Sequence, residues 1–437
     1  MKRIYEPEAY GEAARAGCFW QPPAHDWPRL EGARATDIAI IGAGYTGLSA
    51  ALHLAEAGAE VAVLEAEAPG WGASGRNGGF CCMGGSKLGE DVLARRYGGG
   101  AARAFVAQQR AAVELVERLI EAHDIIADTH SDGEVELAHR PGAMADLAAE
   151  AKRLASHGIK ANLLSRSDLE SQGLAGPEFH GGLHVKLGFA LDPAKYAHGL
   201  ARAAERAGAE IFAASPVTRI RRTGAQYMLT IAKGELRARR LILATNGYSS
   251  EDIPPWLRAR YLPVQSNIMV TRPLSAQERA AQGWTSDLMA FDSRKLLHYF
   301  RLLPDGRFLF GMRGNIRADH QSLEHMRHQI RQHFIRMFPA WKDIEAPHFW
   351  SGLICMARRQ VPFAGPIGDW PNAWAGMAYH GNGVAMGTLT GALLADMALG
   401  RGAPGMVLGA PLRRFPLGRA RRALLRPAFA WYNWRDG

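Results

Sequence analysis

Cysteine is scarce in this sequence. Four thiols stand among 437 residues, Cys18, Cys81, Cys82 and Cys355, and none has C-x-x-C or zinc-finger spacing. That excludes a disulfide framework and indicates no metal site. It sets the expectation of a reducing, cytoplasmic setting. Long apolar runs are missing as well, and none reaches the ~18 residues a membrane span needs. Met1, Lys2 and Arg3 are followed by no apolar h-region, so no secretory signal is expected. No internal repeat or low-complexity tract is visible. Acidic residues run short in one place only. Residues 412–437 hold seven arginines against a single acid, Asp436, whereas the first 411 residues balance 45 bases with 41 acids. The body is therefore near neutral despite a net charge of +10, and with no nucleic-acid-binding motif the chain is not expected to bind nucleic acid. With 47% hydrophobic and 22% charged residues, the composition is that of a soluble globular protein with room for two or three domains.

What the sequence does contain is a complete βαβ dinucleotide cradle. Residues 38–41 form a short apolar run suited to a buried parallel strand. Gly42, Gly44 and Gly47 follow at G-x-G-x-x-G spacing, for a tight turn, close backbone approach to a pyrophosphate, and tight helix–strand packing. A helix is expected to about residue 56, stopped by Gly58. A second strand at 61–64 ends in Glu65, where a carboxylate meets both ribose hydroxyls and repels a 2′-phosphate. FAD or NAD is thus favoured over NADP. A glycine triplet alone is weak evidence; here strand, turn, helix, second strand and acid agree.

Beyond the cradle, residues 69–85 are dense in glycine and residues 101–122 have helical spacing. A second α/β unit is expected as a helix at 194–207 and strands at 209–213, 217–220, 227–231 and 239–245. From 261 to 315 the pattern is β-rich, and Pro304, Asp305 and Gly306 predict a hairpin turn. A helix with charged faces is expected at 320–337, and a strand at 373–377 leads through Gly381, Gly383 and Gly387 into an apolar helix at 384–399.

Four blocks, IIGAGYTGLSAALHLA, GWGASGRNGG, LILATNGYS and YHGNGVAMGTLTG, resemble the FAD-dependent amine and amino-acid oxidoreductases of the glycine oxidase, sarcosine oxidase and D-amino-acid oxidase superfamily. They span residues 30 to 400. Within that superfamily, the GWGASGRNGG form, the pattern at 299–314 and the Arg-rich, aromatic tail are similar to bacterial gamma-glutamylputrescine oxidases. The resemblance implies an α/β fold: a discontinuous Rossmann-like FAD domain (37–100, 191–255, 345–400), preceded by a lead-in (1–36). An inserted α+β substrate domain (101–190, 256–344) would be built on a mixed, largely antiparallel sheet, and a basic tail (401–437) follows. Gly42, Gly44, Gly47 and Glu65 would hold the ADP half. Ala73, Ser74, Arg76, Asn77, Gly78 and Gly79 would wrap pyrophosphate and flavin, with Val217 at the adenine edge. Ala244, Thr245 and Gly247 would close the site. Gly381, Asn382, Gly383, Val384, Ala385 and Met386 would cap the pyrimidine edge, where a helix start offers positive potential; on its own, that helix start is equally a close-packing device.

The implied chemistry is hydride loss from a neutral amine to flavin N5, imine hydrolysis, and reoxidation by O2 to hydrogen peroxide, with gamma-glutamylputrescine or a similar compound as substrate. No catalytic triad is required. FAD is expected to be noncovalent, because Arg76 and Asn77 stand where some relatives carry a histidine and Cys355 lies off the attachment position. Tyr299 and Arg301, on one strand face, and His380 are the candidate substrate contacts; a surface Arg/Tyr ladder and a structural turn histidine are the alternatives. The lysine that sarcosine oxidases hold above the flavin has no counterpart in residues 307–314, leaving Lys87 and Lys295 as substitutes. Two readings of the tail remain open, docking on the protein's own body or on an anionic membrane surface. The second suits a dehydrogenase passing electrons to quinone. A tRNA-modifying flavoprotein is a third possibility, opposed by the near-neutral body.

Overall fold

The computed structural model describes residues 1–436; Gly437, the last residue of the expected tail, lies outside the described residues. Two eight-stranded sheets organise the chain. At the centre of the first is the strand Gly32–Ile41, parallel to Val61–Leu64 on one side and Gly234–Leu243 on the other. Glu210–Phe212 and Ala373–Met377 extend the parallel set outward. Strands buried on both faces carry apolar residues throughout. Accordingly Ile38, Ala39 and Ile40 are fully buried, as are Leu241 and Ile242. Only the outer part of Gly32–Ile41, which begins inside the expected lead-in, is exposed.

Helices Tyr45–Glu56, Pro193–Arg206 and Gly383–Ala398 pack together on one face of this sheet. The Asp192 side chain starts the second of these by accepting from the backbone N–H of Ala194 and Lys195. The helix Gly99–Ala122, assigned from sequence to the substrate domain, packs on Gly383–Ala398, and its Val106 also packs with Leu183 of the second sheet.

The second sheet runs in the order His348–Met356, Leu262–Val270, Phe308–Arg313, His298–Leu302, Met289–Asp292, Glu134–Leu137, Gly181–Val185, Ala161–Ser165, with one parallel pair at its middle. The expected domain boundary at 345 needs correction. His348–Met356 pairs along nine residues with Leu262–Val270, so it belongs to this sheet. Side chains alternate sharply across the sheet. Val135, Leu137, Phe300, Phe308 and Phe310 enter an aromatic core with Trp284, Phe338, Trp341 and helix His320–Met337. Glu134, Glu136, Phe291, Tyr299, Arg301 and Arg313 alternate with these and turn toward the first sheet's cleft.

The arginine-rich tail lies on the body. Arg421 is fully buried, with Nη1 2.6 Å from the Glu251 carboxylate and Nε donating to Tyr261 O. Arg422 pairs with Glu6 at 2.7 Å, and the Asp436 carboxylate accepts from Lys295 N. Trp431 and Trp434, 54% and 74% exposed, remain on the surface of helix Leu425–Asp436. Among the described residues no helix is long and apolar enough to cross a membrane. Breaking a buried ion pair from one side leaves an uncompensated charge, which costs about 3–5 kcal/mol. Arg421→Met should therefore lower unfolding stability by about that amount in urea titration, and a loss below about 1 kcal/mol would contradict the docking.

Candidate functional site

Two cavities share Ala73 in their walls and together form one cleft between the sheets. The first opens over the ends of the central parallel strands, where ligands enter α/β folds. Gly42, Gly44, Glu65, Ser74, Val217, Ala244 and Thr245 line it. The Glu65 carboxylate accepts from Ala43 N at 2.7 Å and Glu67 N at 3.1 Å, which orients it at the strand end. Burial raises its pKa against the pull of those backbone donors. Gly47 lies behind the turn, where any Cβ would overlap the carbonyl oxygen of Gly42. The helix Tyr45–Glu56 thus begins directly beneath the cleft, with Tyr45 N donating to Ser74 Oγ at 3.0 Å. Gly247 is also behind the wall, packed on Leu353.

Arg76, Asn77 and Gly78 border the second cavity. Arg76 is not free to contact a ligand broadly. It donates to Gly72 O, Ala14 O, Ser351 O and Tyr248 Oη. Asn77 braces its own loop, with Nδ2 donating to Ala73 O and Ser74 O and Oδ1 accepting from Gly79 N. Gly79 has a left-handed φ of 73°, and a Cβ there would overlap Leu191 O, so only glycine fits. On the far side, Gly381, Asn382 and Val384 face the cavity at the start of helix Gly383–Ala398, while Ala385 and Met386 turn into the core. Asn382 Nδ2 donates to Met83 O at 2.9 Å, joining this helix start to the glycine-rich loop.

The three expected substrate contacts separate. Tyr299 lines the cavity, its hydroxyl 2.9 Å from Ser266 Oγ and its pKa pushed by burial to about 12. Arg301 does not line it. It lies under the loop, with Nε donating to Gly78 O, Nη2 to Leu191 O and Nη1 to His130 Nε2. Full burial lowers its pKa to about 9. Though on the same strand face as Tyr299, Arg301 falls one step further along, beneath the loop. His380 is fully buried: Nδ1 bonds Gly85 O at 2.7 Å and Nε2 accepts from Ala357 N at 3.1 Å. These partners fix the neutral Nδ1–H tautomer, and burial lowers the pKa to about 3. His380 is therefore a structural link between the loop and the second sheet's edge.

The cavity's cation is Arg313, on the hairpin partner of Tyr299's strand. It donates to His380 O at 3.3 Å and has no carboxylate partner among the described residues. Lys87 lies in the same wall, its pKa lowered by the surrounding protein and by Arg313. Glu134, Phe80, Ser266, Phe291 and Leu297 also line the cavity and were not singled out from sequence. The signal for Glu134 was present: two acids alternating with apolar residues in a strand, E-V-E-L, place both on one face. Cys355 is buried, its thiol pushed up to about 12.

A βαβ glycine turn ending in an acid, continuous with a second cavity capped by a helix start, defines a flavoenzyme of the dinucleotide-binding class. The chain belongs to the DAO family of FAD-dependent oxidoreductases, whose model matches residues 37–397. It is 30% identical over 417 residues to a probable oxidoreductase, OrdL, of Rhizobium meliloti, covering 94% of each chain. It is 29% identical to the gamma-glutamylputrescine oxidoreductase of Escherichia coli, covering 92% of each. Its fold is similar to glycine oxidase from Geobacillus kaustophilus, with a TM-score of 0.70, 19% identity, and coverage of 87% of this chain and 99% of that one. The residues present fit FAD, since the glycine turn, Glu65 and the connected second cavity provide a dinucleotide cleft that continues into a ring-sized space.

Because the folded pKa of His380 lies below the ordinary histidine value of ~6.5, the unfolded chain binds its proton first as pH falls. Stability from this residue is full above that value and is lost progressively toward about pH 3. His380→Asn should flatten the pH dependence of unfolding free energy between these limits. An unchanged slope would show that His380 does not titrate in this way.

Proposed function

We propose that the protein oxidises a C–N bond of an amine or amino-acid-like substrate in the cytoplasm, with noncovalently held FAD and O2 as electron acceptor. The substrate loses hydride and a proton to become an imine, which water converts to a carbonyl, while O2 becomes hydrogen peroxide. Gamma-glutamylputrescine or a close analogue is the substrate class favoured by the similarity to the Escherichia coli enzyme. Bound FAD supplies the hydride acceptor. The Gly42–Gly47 turn, Glu65, Ser74 and Val217 would hold its ADP half, and Ala73, the 76–79 loop and the start of helix Gly383–Ala398 would hold the remainder.

The observation that carries this reading is the cavity wall itself. It presents the Arg313 guanidinium, with Lys87 pushed by burial toward its neutral form, beside apolar Phe80, Ile268, Phe291 and Leu297, and no histidine lines it. Such a wall disfavours an ammonium beside it, so the reacting amine binds neutral with its lone pair available, as hydride loss requires. Arg313 presents a guanidinium suited to a substrate carboxylate, and Lys87 is the lysine available in the cavity to favour reduction of O2. A second reading is an amine dehydrogenase passing electrons to quinone at a membrane surface, favoured by the exposed Trp431 and Trp434 on a basic tail.

Purified protein should be yellow and its flavin should bleach anaerobically with at least one amine from a panel of gamma-glutamylputrescine, putrescine, glycine, sarcosine and D-amino acids. Absence of a flavin chromophore would overturn the cofactor assignment, and bleaching by none of the panel would overturn the substrate class. Stoichiometric peroxide under air supports the oxidase; turnover only with quinone, together with co-sedimentation on anionic liposomes, supports the dehydrogenase. Arg313→Met should lower kcat/KM for a carboxylate-bearing substrate at least about tenfold, equivalent to about 1.4 kcal/mol. An unchanged value would remove Arg313 from substrate binding.

A further inference from the structure

Beyond the flavin cavity lies a second chamber, and the two share Glu134, Met83 and Phe291 as common wall. We propose that this chamber binds a second, distal ammonium group of the substrate, so that the enzyme selects amines carrying another positive charge along the chain. The inference rests on the amine-oxidation reading of the adjoining cavity.

The chamber wall contains four carboxylates, Glu90, Glu134, Glu136 and Glu150, with Arg153 as its cation. Two of the four are already neutralised. Glu90 binds Arg153 at 3.2 Å and His157 at 2.9 Å, and Glu150 accepts from Arg153 Nε at 2.7 Å. Glu134 and Glu136 are different: among the described residues neither has a basic or N–H partner. Glu134 is only 8% exposed, with the weak donor Cys82 beside it. It lines both cavities and so stands where they adjoin.

The local fold explains why these acids cannot satisfy themselves elsewhere. In Glu134–Leu137 they alternate with Val135 and Leu137, which are fully buried in the aromatic core on the opposite face. Strands Met289–Asp292 and Gly181–Val185 flank them and hold the register. The acidic face is thus forced toward the cavities by the requirement to bury the apolar one. A desolvated carboxylate without a counter-charge is costly. Burial accordingly raises Glu134 to about 8 and Glu136 to about 7. An entering ammonium compensates that cost and draws both groups toward the ionised form. The charge pattern is consistent: the Arg313 guanidinium and the apolar wall beside the reacting amine keep it neutral, while acids in the next chamber hold a distal ammonium charged.

The test is calorimetric binding to the FAD-loaded protein of α,ω-diamines from four to eight carbons, each compared with the monoamine of equal length. At least one diamine should bind about tenfold or more tightly than its monoamine. Glu136→Gln, which lies in the second chamber alone, should reduce that ratio toward one, and Glu136→Asp should retain most of it. Glu134→Gln provides a second variant at the passage. No diamine preference in the wild type, or a preference that survives both glutamine substitutions, would overturn the proposal. Titrated anaerobically with the flavin already reduced, the enzyme reports binding without turnover. A protein whose flavin no amine reduces would therefore overturn the proposed reaction while the chamber remained independently testable.

Discussion

The Arg76 guanidinium is the interaction on which the cleft depends. It is 2% exposed and reaches four parts of the chain that are far apart in sequence: its own loop at Gly72, the N-terminal segment at Ala14, the second sheet at Ser351, and the end of the parallel sheet through Tyr248. Trp71 and Tyr248 pack against its faces. A planar cation with several directed donors suits this junction better than an apolar residue, because carbonyl oxygens left unpaired there would each be costly. The same device recurs one layer away, where Arg301 ties Gly78 O to Leu191 O. Two buried arginines thus hold the glycine-rich loop from opposite sides.

From that constraint follows the division of labour between the sheets. The parallel sheet presents a turn, a helix start and Glu65, all backbone-rich features suited to a dinucleotide. The second sheet spends one face on an aromatic core and presents the other to the cleft. Because strand side chains alternate, filling that core with Val135, Leu137, Phe300 and Phe310 obliges Glu134, Glu136, Tyr299 and Arg301 to point the other way. Functional chemistry on this sheet is the complement of its packing.

Much of this was legible in the sequence because it is local. The glycine spacing and terminal acid of the cradle depend on neighbouring residues, as does the Pro304-Asp305-Gly306 turn between His298–Leu302 and Phe308–Arg313. The alternation that sets Tyr299 and His298 on opposite faces follows from strand geometry. The membership of His348–Met356 in the second sheet was not legible, since pairing with Leu262–Val270 is a contact across nearly a hundred residues with no local signature. Nor was the destination of Gly99–Ala122, whose amphipathic pattern shows that it has a buried stripe without showing against what.

The sequence by itself determined the dinucleotide cradle, because periodicity and turn chemistry act over a few residues, while the resemblance of four blocks implied the FAD-dependent family and its two kinds of sheet. Only tertiary structure decided which polar residues face a ligand. The sequence pointed to Arg301, and the structure to Arg313. One is consumed by carbonyls of the loop folded over it, while the other is left with donors to spare in the cavity. His380 stands in the block that enters the capping helix, yet bonds at both ring nitrogens withdraw it from chemistry. Whether a side chain is available depends on what the distant chain places against it, and sequence spacing does not encode that.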